Sequence, residues 1–538
     1  MTKPIKDRLS PEAPRRASRS FLLVALVGAL AACEPHPAGQ QQVARAAPVP
    51  QKIKASAGPI SLASFAKILS AADEAILAQG LEVQIAEQTA LAATGAFEPE
   101  FYATLDRSGQ TAQTSASEFL SQGGGTGSSG EPLPYEELEV EGRVGIEFLD
   151  RTGISVDLFY EMSSVRNSLQ ATANRPTPEY FGAAGLEVRA PLLRNAGRAV
   201  NTSNEVVASI ETKIARETVR LVTSQRLFDG ISTYLMVQRA RAQLDSRRRV
   251  AALARRLQTE MSSQVDQGLR SQTELIEATA QRVQRESAVT LAERELAERI
   301  GAFQIYFSGV DGGSGRWQPT DSLAPVPARY VARSSYGSLD QAFARRPEAR
   351  INALRLEREE VLRLVAENRT LPQADLVFDY RKTQLDDDYV PFRDIYSRSN
   401  PYETWRVGFE YRRGIYGDRA AQAELKAAEL REAQAELAMS AFRQRVASEL
   451  NGISSILSRA RESLAQQERM IHAQRQLLDA ERTAAENGQS SQVEVISRQI
   501  NLALAQEQRA DTIVQLNLAT FLASQVDGTL LERFGLAN

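Results

Sequence analysis

Residues able to do covalent or metal chemistry are few in this chain. Among 538 residues there are one cysteine, Cys33, and two histidines, which argues against an intrachain disulfide framework and against a His-rich metal site. Gly312-Gly313-Ser314-Gly315 lacks the Lys-Ser/Thr pair with which a phosphate loop reaches nucleotide and magnesium. Asp386-Asp387-Asp388 sets three carboxylates side by side without the alternating ligand spacing of a calcium loop, so a solvated loop is expected. No nucleophile elbow, paired zinc histidines or Walker lysine is present. No catalytic residue and no metal ligand is therefore assigned, and the chain is not expected to be an enzyme.

Cys33 is the exception. Lys3, Lys6, Arg8, Arg15, Arg16 and Arg19 precede an apolar run from Phe21 to Leu30, which has the length of a signal-peptide core and is too short to span a bilayer. Residues 1–32 read as an export signal. They lead into Leu30-Ala31-Ala32-Cys33, which resembles the bacterial lipobox, where the leader is cut before a cysteine whose sulfur carries a diacylglyceryl group. Cys33 is thus expected to hold a covalent lipid, with palmitate among its acyl chains, and no other cofactor is expected. In proteins with this signal Asp after the cysteine is the usual mark of inner-membrane retention, and Glu34 stands there instead, favouring the outer membrane. Residues 33–60, rich in Ala, Pro and Gln, read as a flexible, lipid-anchored tether.

The rest of the chain is organised by duplication. Gln267-Gly268-Leu269-Arg270-Ser271-Gln272-Thr273-Glu274 and Asn487-Gly488-Gln489-Ser490-Ser491-Gln492-Val493-Glu494 share Gly, Ser, Gln and Glu at matching places. Gly197 and Gly417 stand the same distance upstream of the two copies, so one unit occurs twice. Each Gly interrupts a proline-free helical run and each Ser three residues later can cap a new helix, which predicts the tight turn of a helical hairpin. The proline-free stretch from Arg198 to Gln267 predicts a rod of roughly 100 Å. Apolar seams at Val250, Leu253, Leu257 and Met261, and at Leu450, Ile453, Leu457 and Leu464, predict lateral packing between helices. His472 lies beside the second seam and reads as a packing or surface residue.

Ser61–Thr94 is expected to form one amphipathic helix, and the helix returning from Gly268 to about Phe303 would complete the length of the long one end to end. Arg143-Val144-Gly145-Ile146-Glu147-Phe148 and Ile154-Ser155-Val156-Asp157-Leu158-Phe159-Tyr160 alternate polar and apolar residues around a turn, as strands with one wet and one lipid-compatible face would. The fold class expected is mainly α with a small β part. A first repeat occupies 61–306, with strands in 97–193 and a hairpin over 198–305, and a linker follows over 307–337. A second repeat occupies 338–525, with strands in 374–413 and a hairpin over 418–525, before a tail at 526–538. Aromatics are 6% of the chain and formal net charge is −3, or −7 without residues 1–32. Such a balance suits helices packed through small side chains and not nucleic-acid binding.

The duplicated plan, the two glycine turns and the segment Ala190-Pro191-Leu192-Leu193-Arg194-Asn195-Ala196-Gly197 together resemble the TolC family of outer-membrane channel proteins, over nearly all of residues 61–525. The resemblance implies a homotrimer in a Gram-negative outer membrane, with a shared β-barrel in the lipid and an α-helical barrel in the periplasm. It implies passive conduction for an efflux pump or type I secretion system, with a periplasmic adaptor and an inner-membrane transporter as partners. It makes Gln267, Gly268 and Leu269, with Asn487, Gly488 and Gln489, the adaptor-docking tips, although the family's usual valine before each glycine is replaced. It makes Glu274 and Glu494 candidate aperture acids. A further family acid is replaced by Ser497, and Ala485 and Ser490 stand where the best-known relative has its locking tyrosine and arginine. The long strand region 97–193 leaves open whether each copy gives the barrel six strands or four with a separate elaboration. A lipid-anchored periplasmic adaptor or a coiled-coil scaffold without a pore is the competing reading.

Overall fold

The computed structural model describes residues 53–536 apart from 55–56, 116, 118–133, 169, 171–177, 312–316, 328–338 and 398–399. The export signal, Cys33, the tether through residue 52, the glycine-rich loop 123–130 and Gly312-Gly313-Ser314-Gly315 lie outside the described residues.

Two short strands, β1 (Ile53–Lys54) and β2 (Pro59–Ile60), open the described chain. Helices α1 (Leu62–Ala72) and α2 (Glu74–Thr94) follow. Strands β3 (Glu100–Ala112), β4 (Tyr135–Leu149), β5 (Ser155–Asn167) and β6 (Glu179–Pro191) come next. A first helical hairpin is built from α3 (Ser203–Asp266) and α4 (Gln272–Gln304). The second repeat runs through β7 (Val310–Asp311), β8 (Gln318–Pro319), α5 (Leu339–Arg345), α6 (Pro347–Arg369), β9 (Gln373–Asp386) and β10 (Glu403–Arg412). It ends with the hairpin of α7 (Arg419–Glu486) and α8 (Gln492–Val526) and the single turn α9 (Leu530–Arg533).

The long helices have 64 and 68 residues, so each is a rod of roughly 100 Å. Helices α2 and α4 both pack along α3, and α6 and α8 both pack along α7, so short helices share the length of each long one. They meet at an apolar waist. Phe65 is fully buried there, with the rings of Phe303 at 4.9 Å and Phe307 at 5.6 Å, and Trp317 stacks on Phe307 at 4.4 Å. The Tyr234 hydroxyl bridges the Ile60 carbonyl, at 3.1 Å, and the Asp321 carboxylate, at 2.9 Å.

Several boundaries differ from those expected. The opening helix is not continuous: Asp73 has extended backbone (φ −67, ψ 124) between α1 and α2. Its carboxylate accepts from the backbone N–H groups of Ala75 and Ile76 and pairs with Arg226 at 2.6 Å, a partner from α3 that sequence periodicity does not reveal. The short helix of the second repeat breaks likewise at Arg346 (φ −74, ψ 128), which pairs with Glu449 of α7 at 2.5 Å. The tether read as reaching residue 60 is structured at its end, because β1 pairs in parallel with β7 and β2 with β8. Those same pairings give structure to the inter-repeat linker. The tail is folded too, as Gly528 (φ +75) ends α8 and α9 buries Leu530 and Leu531 in the waist.

The long strands form one antiparallel sheet in the order β10-β9-β6-β5-β4-β3. The extra hairpin of the first repeat, β4–β5, is therefore part of the same sheet, which has six strands in one chain. Direct pairing puts Phe101, Ile146, Leu158, Leu186, Tyr380 and Trp405 in one row across all six. The neighbouring row of Phe148, Val156, Val188, Phe378 and Val407 lies on the same face. On the other face the row is Glu100, Glu147, Asp157, Glu187, Asp379 and Arg406. There Arg143 pairs with Asp157 at 2.8 Å and lies 4.0 Å over the Phe159 ring.

Candidate functional site

The two tips are built alike. Gly268 (φ +72) and Gly488 (φ +71) adopt the left-handed backbone that costs an L side chain about 1–2 kcal/mol. At the first tip the Gly268 N–H donates to the Val265 carbonyl at 2.9 Å and the Leu269 N–H to that of Gln264 at 2.9 Å. At the second, Gly488 donates to Ala485 at 3.1 Å and Gln489 to Ala484 at 2.8 Å. Both are Schellman caps, and they satisfy carbonyls that the helix end would leave open. Ser271 and Ser491 then cap the return helices through their hydroxyls, which accept from the Glu274 and Glu494 N–H groups at 3.3 and 3.4 Å. No heavy atom lies within 4 Å of a Cβ built on either glycine, and Leu269 is 69% exposed. The tip surface is open to a partner.

The hairpins are joined behind their tips. Leu257 and Met261 of α3 and Ala278 of α4 form a buried cluster with Val493 and Ile496 of α8. The α3 seam read from the sequence thus supplies the contact that sets the tips side by side, while the α7 seam packs further from them, Leu450 and Ile453 on Ala523 and Val526, and Leu457 and Leu464 on Ile513 and Leu516.

The two acids, equivalent in sequence, differ in surroundings. Glu274 completes a capping box, accepting from the Ser271 backbone N–H at 2.9 Å, and pairs with Arg270 at 2.9 Å. That N–H and the guanidinium hold its carboxyl below the usual range. Glu494 is exposed, and among the described residues it has no ion-pair partner. A cross-helix network missed from the sequence lies beside it: Glu481 of α7 accepts from the Ser490 hydroxyl and from Arg498, and these hold it below the usual carboxylate range. The only advance signal for it was Ser490, in the position of the absent lock. The Asp386 and Asp388 carboxylates accept from the adjacent N–H groups of Asp387 and Tyr389, each at 2.8 Å.

The sheet closes the far end of the rod. The β4–β5 turn docks on the strand-to-helix junction, where the Gly197 N–H donates to the Thr152 carbonyl at 3.0 Å and Arg151 pairs with Glu205 of α3 at 3.0 Å. Wall and rod are thereby coupled. Among the described residues no helix is long and apolar enough to cross a membrane.

Solved structures share this arrangement. A membrane protein from Pseudomonas aeruginosa aligns with TM-score 0.61 at 13% identity, covering 87% of this chain and 93% of that one. The CmeC outer membrane channel of Campylobacter jejuni aligns with TM-score 0.58 at 11% identity over 87% and 86%. The chain has the TolC-type fold. The open state of the MtrE outer membrane channel of Neisseria gonorrhoeae aligns with TM-score 0.57 at 13% identity over 87% and 89%. No protein-family model and no curated protein matches the sequence. Within the TolC-type fold, the glycine tips and the sheet occupy opposite ends of the rod, the arrangement anticipated from the duplicated sequence.

Proposed function

We propose that three copies of this chain form a passive duct through the outer membrane and periplasm, which receives cargo from an inner-membrane transporter through a periplasmic adaptor. The observation that carries this reading is the six-stranded sheet, with one apolar face, one charged face and two unpaired edges, β3 and β10. Open edges are not tolerated in hydrocarbon. The edge strands run in opposite directions, so β10 of one copy can pair antiparallel with β3 of the next. Three copies of six strands make eighteen, a size that leaves an aqueous lumen. The charged rows then face water, and the apolar rows face lipid. Along β6 the apolar face runs from Tyr180 to Ala190, about 33 Å of strand, which a tilt near 40° reduces to roughly 25 Å along the membrane normal, the headgroup layer at the Tyr180 end included.

The duct performs no chemistry. Its tips at Gly268 and Gly488 are the docking surface for the adaptor, and Glu494 is the acid best placed to ring the axis, since Glu274 is engaged in its own cap. Three Glu494 carboxylates around one axis would repel one another and attract cations. Recording from planar bilayers is the decisive test. Purified protein is expected to give discrete conductance steps, and Glu494→Gln is expected to reduce preference for cations. A protein that gives no steps, with or without that substitution, is a scaffold.

Anchoring is a separate element of the proposal. Cys33→Ser is expected to abolish palmitate labelling of the mature chain, and labelling that persists in the variant would refute Cys33 as the attachment site.

A further inference from the structure

The connection between β9 and β10 leaves the outer rim of the sheet, where it could fold over the charged face or over the apolar one. It takes the apolar face. Val390 and Ile395, at most 1% exposed, are packed on Ala184 with Tyr160 and Tyr180 beside them. The Tyr160 hydroxyl donates to the Val390 carbonyl at 2.6 Å, and Asn400 donates to the carbonyls of Ile395 and Thr383. Gly182 supplies the room, since a Cβ there would lie 2.9 Å from the Val390 side chain. By strand register, 160, 180, 182 and 184 share their face with Leu158 and Leu186.

What the connection shows outward is aromatic. Phe392 is 55% exposed, and Tyr389 and Tyr396 are also exposed. The Phe392 ring meets Tyr160 edge-on at 5.9 Å and Tyr396 at 5.1 Å. Trp405, in the apolar row, is exposed as well. Charges flank these rings, with Asp387 and Asp388 exposed on one side and the Arg393 side chain 96% exposed on the other. Rings interleaved with charges match the layer where lipid headgroups meet acyl chains. The backbone polar groups of a loop could not be placed deeper.

We infer that residues 389–396 form an aromatic collar seated in the headgroup layer on the outside of the wall, holding the duct at a fixed depth and leaving its outer mouth uncovered by this connection. The inference rests on the membrane-spanning reading above, continues its lipid-facing rows and names headgroup-layer lipid as the partner. Spin labelling tests it in the full-length protein in phosphatidylethanolamine–phosphatidylglycerol vesicles. Labels are placed at Phe392→Cys, at Leu158→Cys on the apolar face and at Thr104→Cys on the charged face, with the parent protein giving the background from Cys33. In vesicles doped with a lipid whose headgroup chelates Ni²⁺, the 392 label is expected to relax severalfold faster than the 104 label. If the 392 label is untouched by the lipid-borne Ni²⁺ and relaxed by a soluble Ni²⁺ chelate, while the 158 label responds to oxygen and not to that chelate, the collar is overturned and the wall stands. If soluble Ni²⁺ reaches the 158 label too, the membrane-spanning reading falls with it.

Discussion

Gly268→Val and Gly488→Val are each expected to lower export through the pump at least tenfold while the trimer still forms. The two glycines hold φ values of +72 and +71, and a valine there carries about 1–2 kcal/mol of backbone strain. That cost falls on one turn of a hairpin that buried apolar packing holds elsewhere, through Leu257, Met261, Val493 and Ile496. A Cβ at either position meets no heavy atom within 4 Å beyond its chain neighbours, so a loss of export comes from the strained turn or from a partner at the tip. Asparagine separates the two effects, because it enters the left-handed region at little cost. Gly268→Asn is expected to keep the turn and still weaken docking. Export assays beside native electrophoresis read both quantities, and unchanged export in the valine variants would dismiss docking at the tips.

Asp73→Ala is expected to destabilise the chain by about 3 kcal/mol, a large share of ordinary net stability. The substitution removes the carboxylate that pairs with Arg226 at 2.6 Å, where the Asp73 side chain is 3% exposed. It also removes the cap of α2, in which that carboxylate accepts from Ala75 at 3.1 Å and Ile76 at 3.3 Å. Asp73→Asn retains an oxygen for the cap and loses the charge, so its loss should fall between wild type and alanine. The rate of proteolysis under mild denaturant measures the series. Equal stability of all three proteins would show that the kink is held by the waist alone.

The features legible in the sequence are those that local chemistry dictates. The glycine and serine at each tip demand a left-handed residue and a cap, and the structure supplies both at Gly268, Gly488, Ser271 and Ser491. Period-two alternation located β4 and β5 because both faces of those strands are well marked. In β3 it marks nothing at Ser108, Gly109, Gln110 and Thr111, where the strand continues because β4 pairs with it. The break at Asp73 was invisible for a related reason: neither proline nor glycine causes it, and its partner Arg226 is 153 residues away. Strands β1, β2, β7 and β8 have two residues each, too few for any period. The tail did carry a readable signal in Asp527-Gly528, a helix stop before a further turn, and the burial of Leu530 behind it came from the waist. At the tips, Glu274 and Glu494 looked interchangeable by position. Arg270 makes them different, and its counterpart in the second copy is Ser490.

The pairs at the two kinks have opposite polarity: acid on the short segment and base on the rod in one half, Arg346 and Glu449 in the other. A chain carrying two near-copies of one unit risks seating a segment on the wrong sibling during folding. Here such an exchange would bring Arg346 toward Arg226 and Asp73 toward Glu449, so repulsion would reject the mistake. With the signs reversed, each kink meets an opposite charge on the rod of its own half and would meet a like charge at the equivalent place on the other.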